Sequence, residues 1–598
     1  MSLRARGDER CRAARPRRAL VAALATLACS SVASRAEADE FAWDASFRVE
    51  SDVRFRLETR AVGDAYASQS VIAGVERNQN LLGVRLEAGI GDVKAVAQVD
   101  GVIFGYQTEI ENIGLLTRPE ETQPWRLDIN ELYIDVREFV FDGLDVRLGQ
   151  QIAAFGVGDQ FNPTNNLNPD DLRDPLLFGK LAGNFMARAD YWVTEDFRLT
   201  GVLVPLFRPA MLPPSASLGP AAIDRLPFLD ESVRWRVASE RYAAESPLAR
   251  HPTQISGTRV VLPDASFENM QAAFRLAGTV AEQDVALSYY VGRHDFPVPI
   301  ANATRQVPGA FCGAPSFGLL CADGRLLTDV TLAYPQMHVY GLNTSGEIPL
   351  SFLGDLPGLG WRLEAALVVP REQRISLTNG NFDLGLIQIP EGEYDYDGDG
   401  RPGGGKPPLV VRDQAYLKWV LGLDYTFASS VYVNAQWVHG LPDEFGAGDW
   451  LIGDDVELRR GTLDGDRTGA AIRCALPRDG TTCIREMVRP RQADYLVLGV
   501  DLRFLDDQLL TRVFTILDLS GYGESYYDPE LGYRRTDHHA FFTPEGFSAV
   551  VYPEVSYNFG NGLELSSGAL LQFGKSYTKF GDPTAGGSVA FARARFSL

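Results

Sequence analysis

Residues 47–61 read FRVESDVRFRLETRA, and this stretch decides the fold. Its even-numbered positions are all charged, whereas its odd-numbered positions carry Phe, Val, Leu, Ala and the small polar residues Ser and Thr. A helix would spread these charges around its circumference, but an extended strand places them on one face. Soluble strands usually have about 5–6 residues, and a membrane-spanning barrel strand needs about 9–11. An alternation of this length therefore predicts a transmembrane β-strand.

The same two-residue period recurs along the chain. Together with residues 47–61, the segments with this period predict about 18 strands, within a range of roughly 16–20. The other predicted strands are residues 80–90, 93–105, 125–137, 144–154, 185–194, 197–207, 268–280, 284–294, 335–347, 360–370, 414–427, 431–440, 493–505, 508–519, 547–559, 563–574 and 588–598.

The connections between these segments alternate between short and long. The short ones have hairpin-turn residues, as in Gly91-Asp92, Asp142-Gly143 and Gly560-Asn561-Gly562. Outer-membrane barrels have an even strand number, short periplasmic turns and long external loops. We therefore predict an all-β fold, a transmembrane antiparallel β-barrel in this orientation. The predicted external loops are residues 62–79, 106–124, 155–184, 208–267, 295–334, 371–413, 441–492, 520–546 and 575–587.

The N-terminal residues predict export. Arginines up to residue 18 precede the apolar run ALVAALATLA at 19–28, and Ala36-Glu37-Ala38 fits a signal-peptidase site. We predict a signal peptide at 1–38 and a single outer-membrane β-barrel domain at 39–598; a lipoprotein anchored through Cys29 is the alternative. The expected location is the outer membrane of a Gram-negative bacterium, with membrane lipid and the barrel assembly machinery as partners. A net charge of −21 argues against a nucleic-acid partner.

Four cysteines follow the predicted signal peptide. Cys312 and Cys321 form one closely spaced pair, and Cys474 and Cys483 form another, each within a polar stretch. Because an exported protein meets an oxidising compartment, we predict one disulfide within each pair. Free thiols and metal ligation are the alternatives.

Four segments together resemble a family of outer-membrane barrels. These are LDVRLGQQIAAFGVGDQFNPTNNLNPDDLRD at 144–174, ADYWVTEDFRLTGVLVPLFRP at 189–209, SYYVGRHDFPVP at 288–299 and WRLEAALVVP at 361–370. The chain resembles the proteobacterial domain-of-unknown-function 1302 family, and more distantly the general porins. The resemblance implies a barrel and an inner-membrane exporter as a partner, and it supplies no substrate.

Residues typical of metal sites and of enzymes are sparse. Asp395, Asp397 and Asp399 begin like a calcium loop, but Lys406 stands where such a loop ends in Glu. A weak external calcium site and a solvated acidic turn are the two interpretations, and no other cofactor is expected. No G-x-S-x-G or H-E-x-x-H motif occurs, and the six histidines suggest no Ser–His pair, so we predict that the protein is not an enzyme.

Charges on the first and last strands are predicted to line the lumen. If the barrel closes through these strands, their arginines form one wall that Glu50, Asp52 and Glu58 partly neutralise. Two compatible interpretations are a salt-bridged wall that stiffens the barrel and an electropositive pore wall. The predicted pore-lining residues are Arg48, Arg54, Arg56, Arg60, Arg593 and Arg595.

The loop at 155–184 follows the fifth predicted strand, where porins carry a loop that folds inward and narrows the channel. It contains three prolines, and its acids Asp159, Asp170, Asp171 and Asp174 are the predicted constriction residues. An exposed acidic loop is the alternative. If the loop folds inward, the arginine wall is expected to face these acids across the constriction and to create a transverse field.

These patterns predict a porin-like outer-membrane channel for small solutes, with a charged lumen and an inward-folded acidic loop. The first alternative is a conduit for hydrophobic compounds linked to an inner-membrane exporter. The second is a barrel enzyme that acts on envelope lipids. The sequence leaves the solute, the direction of transport and the oligomeric state open.

Overall fold

The structure is a computed structural model. It describes residues 41–598 apart from 63–68, 105–123, 178, 214, 216–252, 308–324, 352–353, 355, 372, 380–381, 384–387, 390–391, 394–408, 412–413, 428–429, 445, 448–485 and 529–532. The predicted signal peptide and all six cysteines lie outside these described residues, as do Asp395, Asp397 and Asp399.

Eighteen strands form one antiparallel sheet that closes on itself. Each strand pairs with the next along the chain, and the last pairs with the first. Numbered in chain order, they are β1 (Ala42–Arg56), β2 (Gly74–Ile90), β3 (Val93–Phe104), β4 (Trp125–Val136), β5 (Leu144–Gln151), β6 (Asn184–Trp192), β7 (Phe197–Val204), β8 (Gln271–Val280), β9 (Gln283–Arg293), β10 (Gln336–Ile348), β11 (Leu359–Pro370), β12 (Tyr416–Phe427), β13 (Val431–His439), β14 (Asp494–Phe504), β15 (Leu509–Asp518), β16 (Ser548–Asn558), β17 (Leu563–Gly574) and β18 (Val589–Ser597).

The closing pair joins the two ends of the barrel chain. Arg48 to Arg56 of β1 pair in register with Ser597 to Val589 of β18. Beyond them, the N–H of Phe47 donates to the carbonyl of Leu598 at 3.0 Å, and the N–H of Leu598 donates to the carbonyl of Phe47 at 2.9 Å. The barrel edge is therefore satisfied by backbone hydrogen bonds, as a membrane barrel requires.

The predicted all-β barrel is confirmed, and each of the eighteen predicted segments overlaps one barrel strand. The first segment is displaced, since β1 begins at Ala42 and ends at Arg56 instead of covering 47–61. It ends there because Arg56 pairs with Val589 and Gly74, which are the terminal residues of β18 and β2. Arg60 lies in a separate short strand, Arg60–Val62.

Several long connections contain strands of their own, which the sequence did not predict. Strand Thr253–Val260 lies in the predicted loop 208–267 and pairs in parallel with Arg325–Ala333, outside the barrel sheet. The remaining connection strands are Gln69–Val71, Val298–Val307, Gln373–Asn379, Phe382–Asp383, Gln388–Ile389, Gly392–Glu393, Leu409–Val411, Glu486–Val488, Tyr522–Asp528 and Tyr533–His539, and Phe267–Asn269 and Pro583–Ala585 are 3-10 helices.

The alternation along the strands separates two faces. Outward residues such as Leu127, Phe274 and Leu287 are more than half exposed, which is expected of a surface that meets hydrocarbon. Their inward neighbours on the same strands, such as Ala273 and Ala286, are buried. No helix in the described part of the chain is long and apolar enough to cross a membrane.

Candidate functional site

The predicted loop 155–184, which follows β5 and ends at the first residue of β6, enters the barrel and packs against opposite walls. Phe161 and Leu176 share a buried apolar cluster with the inward residues Val420, Val438 and Tyr495. A second cluster holds Phe155 and Leu167 of the same connection, together with the wall residues Met186, Val202 and Ala273. We call residues 155–184 the crossing loop, because its contacts span the lumen.

Glu364 of β11 holds one end of the crossing loop. Its Oε2 accepts the N–H groups of Val157 at 2.7 Å and Gly158 at 3.0 Å, and its Oε1 accepts the N–H and the hydroxyl of Thr164, both at 2.8 Å. A Cβ on Gly156 would lie 2.6 Å from Oε2, so the backbone comes this close only because residue 156 has no side chain. The completely buried carboxylate therefore fixes three loop residues at once.

Asp159 binds the same side of the lumen. Its carboxylate accepts hydrogen bonds from Arg362 of β11, from Asn434 at 2.8 Å and from Gln436 at 3.1 Å on β13. Arg362 also donates to Asp424 at 2.6 Å. Asp159 thus ties the loop directly to β11 and β13 and, through Arg362, to Asp424 of β12.

Asp174 ties the other end of the crossing loop to β1 and β2. Arg54 donates to both oxygens of Asp174, at 2.5 and 2.7 Å, and Arg77 donates to Oδ2 at 2.9 Å. Burial alone would raise the pKa of Asp174, but the Arg54 hydrogen bonds and the charges of Arg54 and Arg77 hold it well below its usual range. Arg54 and Asp174 were named separately from the sequence, and the structure brings them into direct contact.

Asp171 and Asp170 have different surroundings. Asp171 accepts hydrogen bonds from Arg173, the closest at 2.8 Å, and lies 2.9 Å from the Lys180 ammonium. Burial would raise its pKa, but these two cations lower it to about 2. Burial together with the neighbouring carboxylate of Asp295 raises the pKa of Asp170 well above its usual range. The backbone N–H of Asp170 donates to Asp295 at 2.9 Å, and burial raises the pKa of Asp295 to about 6.

The six arginines of the predicted pore wall all have polar partners. Arg56 donates to Glu76, and Arg60 donates to Glu58 and to the carbonyls of Phe580 and Asp582. Arg48 pairs with Asp100 at 3.3 Å, Arg593 with Asp52 at 3.0 Å, and Arg595 with Glu50 at 3.1 Å. The side chains of Arg54, Arg56 and Arg593 are at most 9% exposed, whereas those of Arg48 and Arg595 are 38% and 33% exposed.

Three further arginines face the lumen on adjacent strands near the end that carries the short turns. Arg188 of β6 and Arg198 of β7 both pair with one carboxylate, Asp190, and Arg275 of β8 lies opposite Thr200 of β7. Sequence reasoning did not single them out, although each occupies an inward position, and Arg198 and Arg275 lie next to the exposed apolar residues Leu199 and Phe274. Glu364 and Arg77 were missed in the same way. A charged residue at an inward strand position is the sequence signal that would have found all five.

Asp537, His538 and His539 are adjacent residues whose side chains are of metal-ligating types, and they lie in the strand Tyr533–His539. His539 stacks on Tyr522 at 4.7 Å between ring centroids, and His538 bonds the Ser520 carbonyl at 2.7 Å. Among the described residues, no group of three or more His, Cys, Asp or Glu side chains could hold a metal ion.

No family model matches the chain, and no curated protein matches it. Similar solved structures include the outer membrane channel DcaP of Acinetobacter baumannii, at 8% identity and a TM-score of 0.33, covering 93% of this chain and 97% of that chain. OccAB4 of the same organism has 7% identity and a TM-score of 0.40, with 94% and 98% covered. The outer membrane protein opdK of Pseudomonas aeruginosa has 8% identity and a TM-score of 0.38, with 93% and 99% covered.

Proposed function

We propose that the protein is a porin-like channel in the outer membrane of a Gram-negative bacterium, and that it passes small polar solutes. One observation carries the proposal: a closed eighteen-strand barrel, apolar outside and charged inside, is crossed by a loop that is bonded to opposite walls. A barrel of about this strand number leaves an aqueous lumen. A bonded loop within it sets a narrow, polar passage, where lining charges select the solute.

Within this channel, we propose different roles for the predicted pore-lining arginines. Arg48 and Arg595 are the exposed members and meet the solute. Arg54, Arg56 and Arg593 are buried in ion pairs and stiffen the wall that holds the crossing loop. The transverse field expected from the sequence would act where exposed charges remain, because Arg54 and Asp174 neutralise each other on contact.

The other sequence hypotheses have less support in the described residues. A conduit for hydrophobic compounds needs an apolar path, but beside its two apolar clusters the crossing loop meets the walls through polar and ionic contacts. An enzyme that acts on envelope lipids stays an alternative from the sequence alone. Membership of the domain-of-unknown-function 1302 family, and an exporter as partner, stay predictions from the resemblance alone.

The channel is tested by conductance of the purified full-length protein in planar bilayers. We expect stable single-channel steps, and a larger step after deletion of residues 162–171, because this removes the middle of the crossing loop. Each preparation is first shown to be folded by the compact migration of the unboiled barrel. A folded barrel that gives no conductance in either form would contradict the proposal.

Export and the external features are proposed on sequence grounds. We propose cleavage after Ala38, disulfides Cys312–Cys321 and Cys474–Cys483, and a weak calcium site at Asp395, Asp397 and Asp399. Mass spectrometry of the non-reduced, digested mature protein tests the first two, since free thiols at all four cysteines would exclude the disulfides. Calcium titration of the same sample tests the third.

A further inference from the structure

The three inward arginines of β6, β7 and β8 form one basic patch in the lumen wall. In the strand register, Asp190 pairs with Thr200, and Thr200 pairs with Arg275, so these residues form one row across three strands. Arg188 and Arg198 each lie two residues from this row, on opposite sides of it. We call Arg188, Arg198 and Arg275 the basic patch.

The patch has too few acids to neutralise it. Asp190 accepts hydrogen bonds from Arg188 at 3.0 Å and from the Thr200 hydroxyl at 2.6 Å, and it lies 3.7 Å from Nε of Arg198. Arg275 has neither an ion pair nor a hydrogen bond within the described part of the chain. The Nε atoms of Arg198 and Arg275 are buried and meet no acceptor there. Two buried guanidinium donors are therefore left without partners, which is costly unless a ligand binds them.

Aromatic rings orient these guanidinium groups without neutralising them. Arg198 lies over Trp192 at 5.2 Å from the ring centroid, and Arg275 lies over Phe155 at 5.7 Å. Phe155 belongs to the crossing loop, so the loop helps to fix the position of the Arg275 guanidinium. A guanidinium held in this way is preorganised to form paired hydrogen bonds with a carboxylate or a phosphate.

A cavity of about 360 Å³ opens beside the patch. Its lining includes Arg198, Arg275, Trp192, Val157 and Asn343. This volume falls within the range of about 300–1,000 Å³ that holds small molecules. Glu195, Asp196 and Asp284 also line it, but they are exposed. Water and salt screen these exposed acids more strongly than they screen the half-buried arginines.

We propose that the basic patch and this cavity bind the anionic group, a carboxylate or a phosphate, of a small solute that passes through the channel. The inference rests on the proposed channel function and names the class of solute. Glu364 is another buried acid of the lumen wall, and its four hydrogen bonds to the crossing loop leave it committed to the loop.

The binding test is independent of conduction. Acetate and inorganic phosphate are titrated separately into the folded protein in detergent by calorimetry. We expect at least one of them to bind, and Arg275→Gln to weaken that binding about tenfold or more, since one charge-assisted bond is worth about 1.5–3 kcal/mol. Comparison of the two probes distinguishes a carboxylate ligand from a phosphate ligand.

Arg512→Gln is the matched control. Arg512 also faces the lumen and removing it changes the charge equally, but it is fully paired with Asp501 at 2.6 Å, outside the patch. We expect this variant to bind the probe as the parent does. If neither anion binds, or if both variants weaken binding equally, the basic patch is not a site.

Reversal potentials in a salt gradient separate this inference from the channel itself. The parent should prefer anions, and Arg275→Gln should reduce that preference more than Arg512→Gln. A channel that conducts with no difference between the two variants would overturn the basic patch and leave the channel intact. Anion binding without any conductance would instead retain the site and overturn the channel.

Discussion

At the scale of single residues, we expect substitution of Glu364 to weaken the attachment of the crossing loop most. Glu364→Gln keeps one acceptor oxygen but turns the other into an NH₂ group, which faces donors of the crossing loop. Each donor left without an acceptor costs about 1–3 kcal/mol. We expect the loop to detach intermittently, so that single-channel current becomes larger and noisier.

Glu554→Gln is the matched control for this prediction. Glu554 is also a lumen-facing carboxylate, but its hydrogen bond comes from Tyr552 on its own strand, at 3.1 Å, and not from the crossing loop. Its variant should conduct quietly, as the parent does. Equal noise in both variants would mean that the Glu364 hydrogen bonds do not hold the loop.

The alternation in the sequence determines on which face a residue lies but not which residue it meets. Arg54 was predicted to point inward because every even position of 47–61 is charged. Its partner Asp174 is 120 positions away, and the path of the crossing loop brings the two together. Arg275 is the one charge of its strand β8, and Glu364 shares the apolar strand β11 only with Arg362, so no cluster in the sequence drew attention to them.

At the scale of elements, the crossing loop should respond to pH in a defined window. Asp174 and Asp171 have folded-state pKa values below their unfolded ones, so their contribution to stability is present above about pH 4 and lost as the pH falls toward about 2. The pKa of Asp295 is raised to about 6, so its ionised form destabilises the folded protein, and lowering the pH has the opposite effect on its contribution to stability. As the pH falls through 6 it is neutralised, and its repulsion with Asp170 is relieved.

We therefore expect the loop to stay in place from pH 7 to pH 5 and to loosen only below about pH 4. Distances between spin labels on the crossing loop and on the outer face of β5 measure this directly. Asp174→Asn provides the control, because it should broaden the distance distribution already at pH 7. Loosening of the parent loop between pH 7 and pH 5 would contradict the assigned ion pairs.

The strands of the barrel were predictable, and the strands of the connections were not. Barrel strands are long and half-buried, so their two-residue period is visible in segments such as β1 and β12. Strand Thr253–Val260 lies in a connection and joins its neighbour in parallel through backbone bonds, which leave little trace in side-chain pattern. The end of β1 was misplaced because it is set by the ends of β2 and β18, not by its own sequence.

At the scale of the whole molecule, closure of the barrel predicts heat-modifiable migration. A closed sheet has no unpaired edge through which unfolding can begin, so the barrel should resist detergent at room temperature. Unboiled protein should run compact in gel electrophoresis and boiled protein more slowly, with β-type circular dichroism only before boiling. Identical migration in both states would contradict the closed barrel.

The pairing of Phe47 with Leu598 has a consequence for how the molecule is made. Residues 48–56 have no permanent neighbour on one side until residues 589–597 have been synthesised and delivered. During translation and export, this strand therefore exposes unpaired backbone N–H and C=O groups, which could pair with a strand of another protein. Closure therefore depends on residues 589–597, and a polypeptide released before they are synthesised would leave an open sheet in place of a barrel.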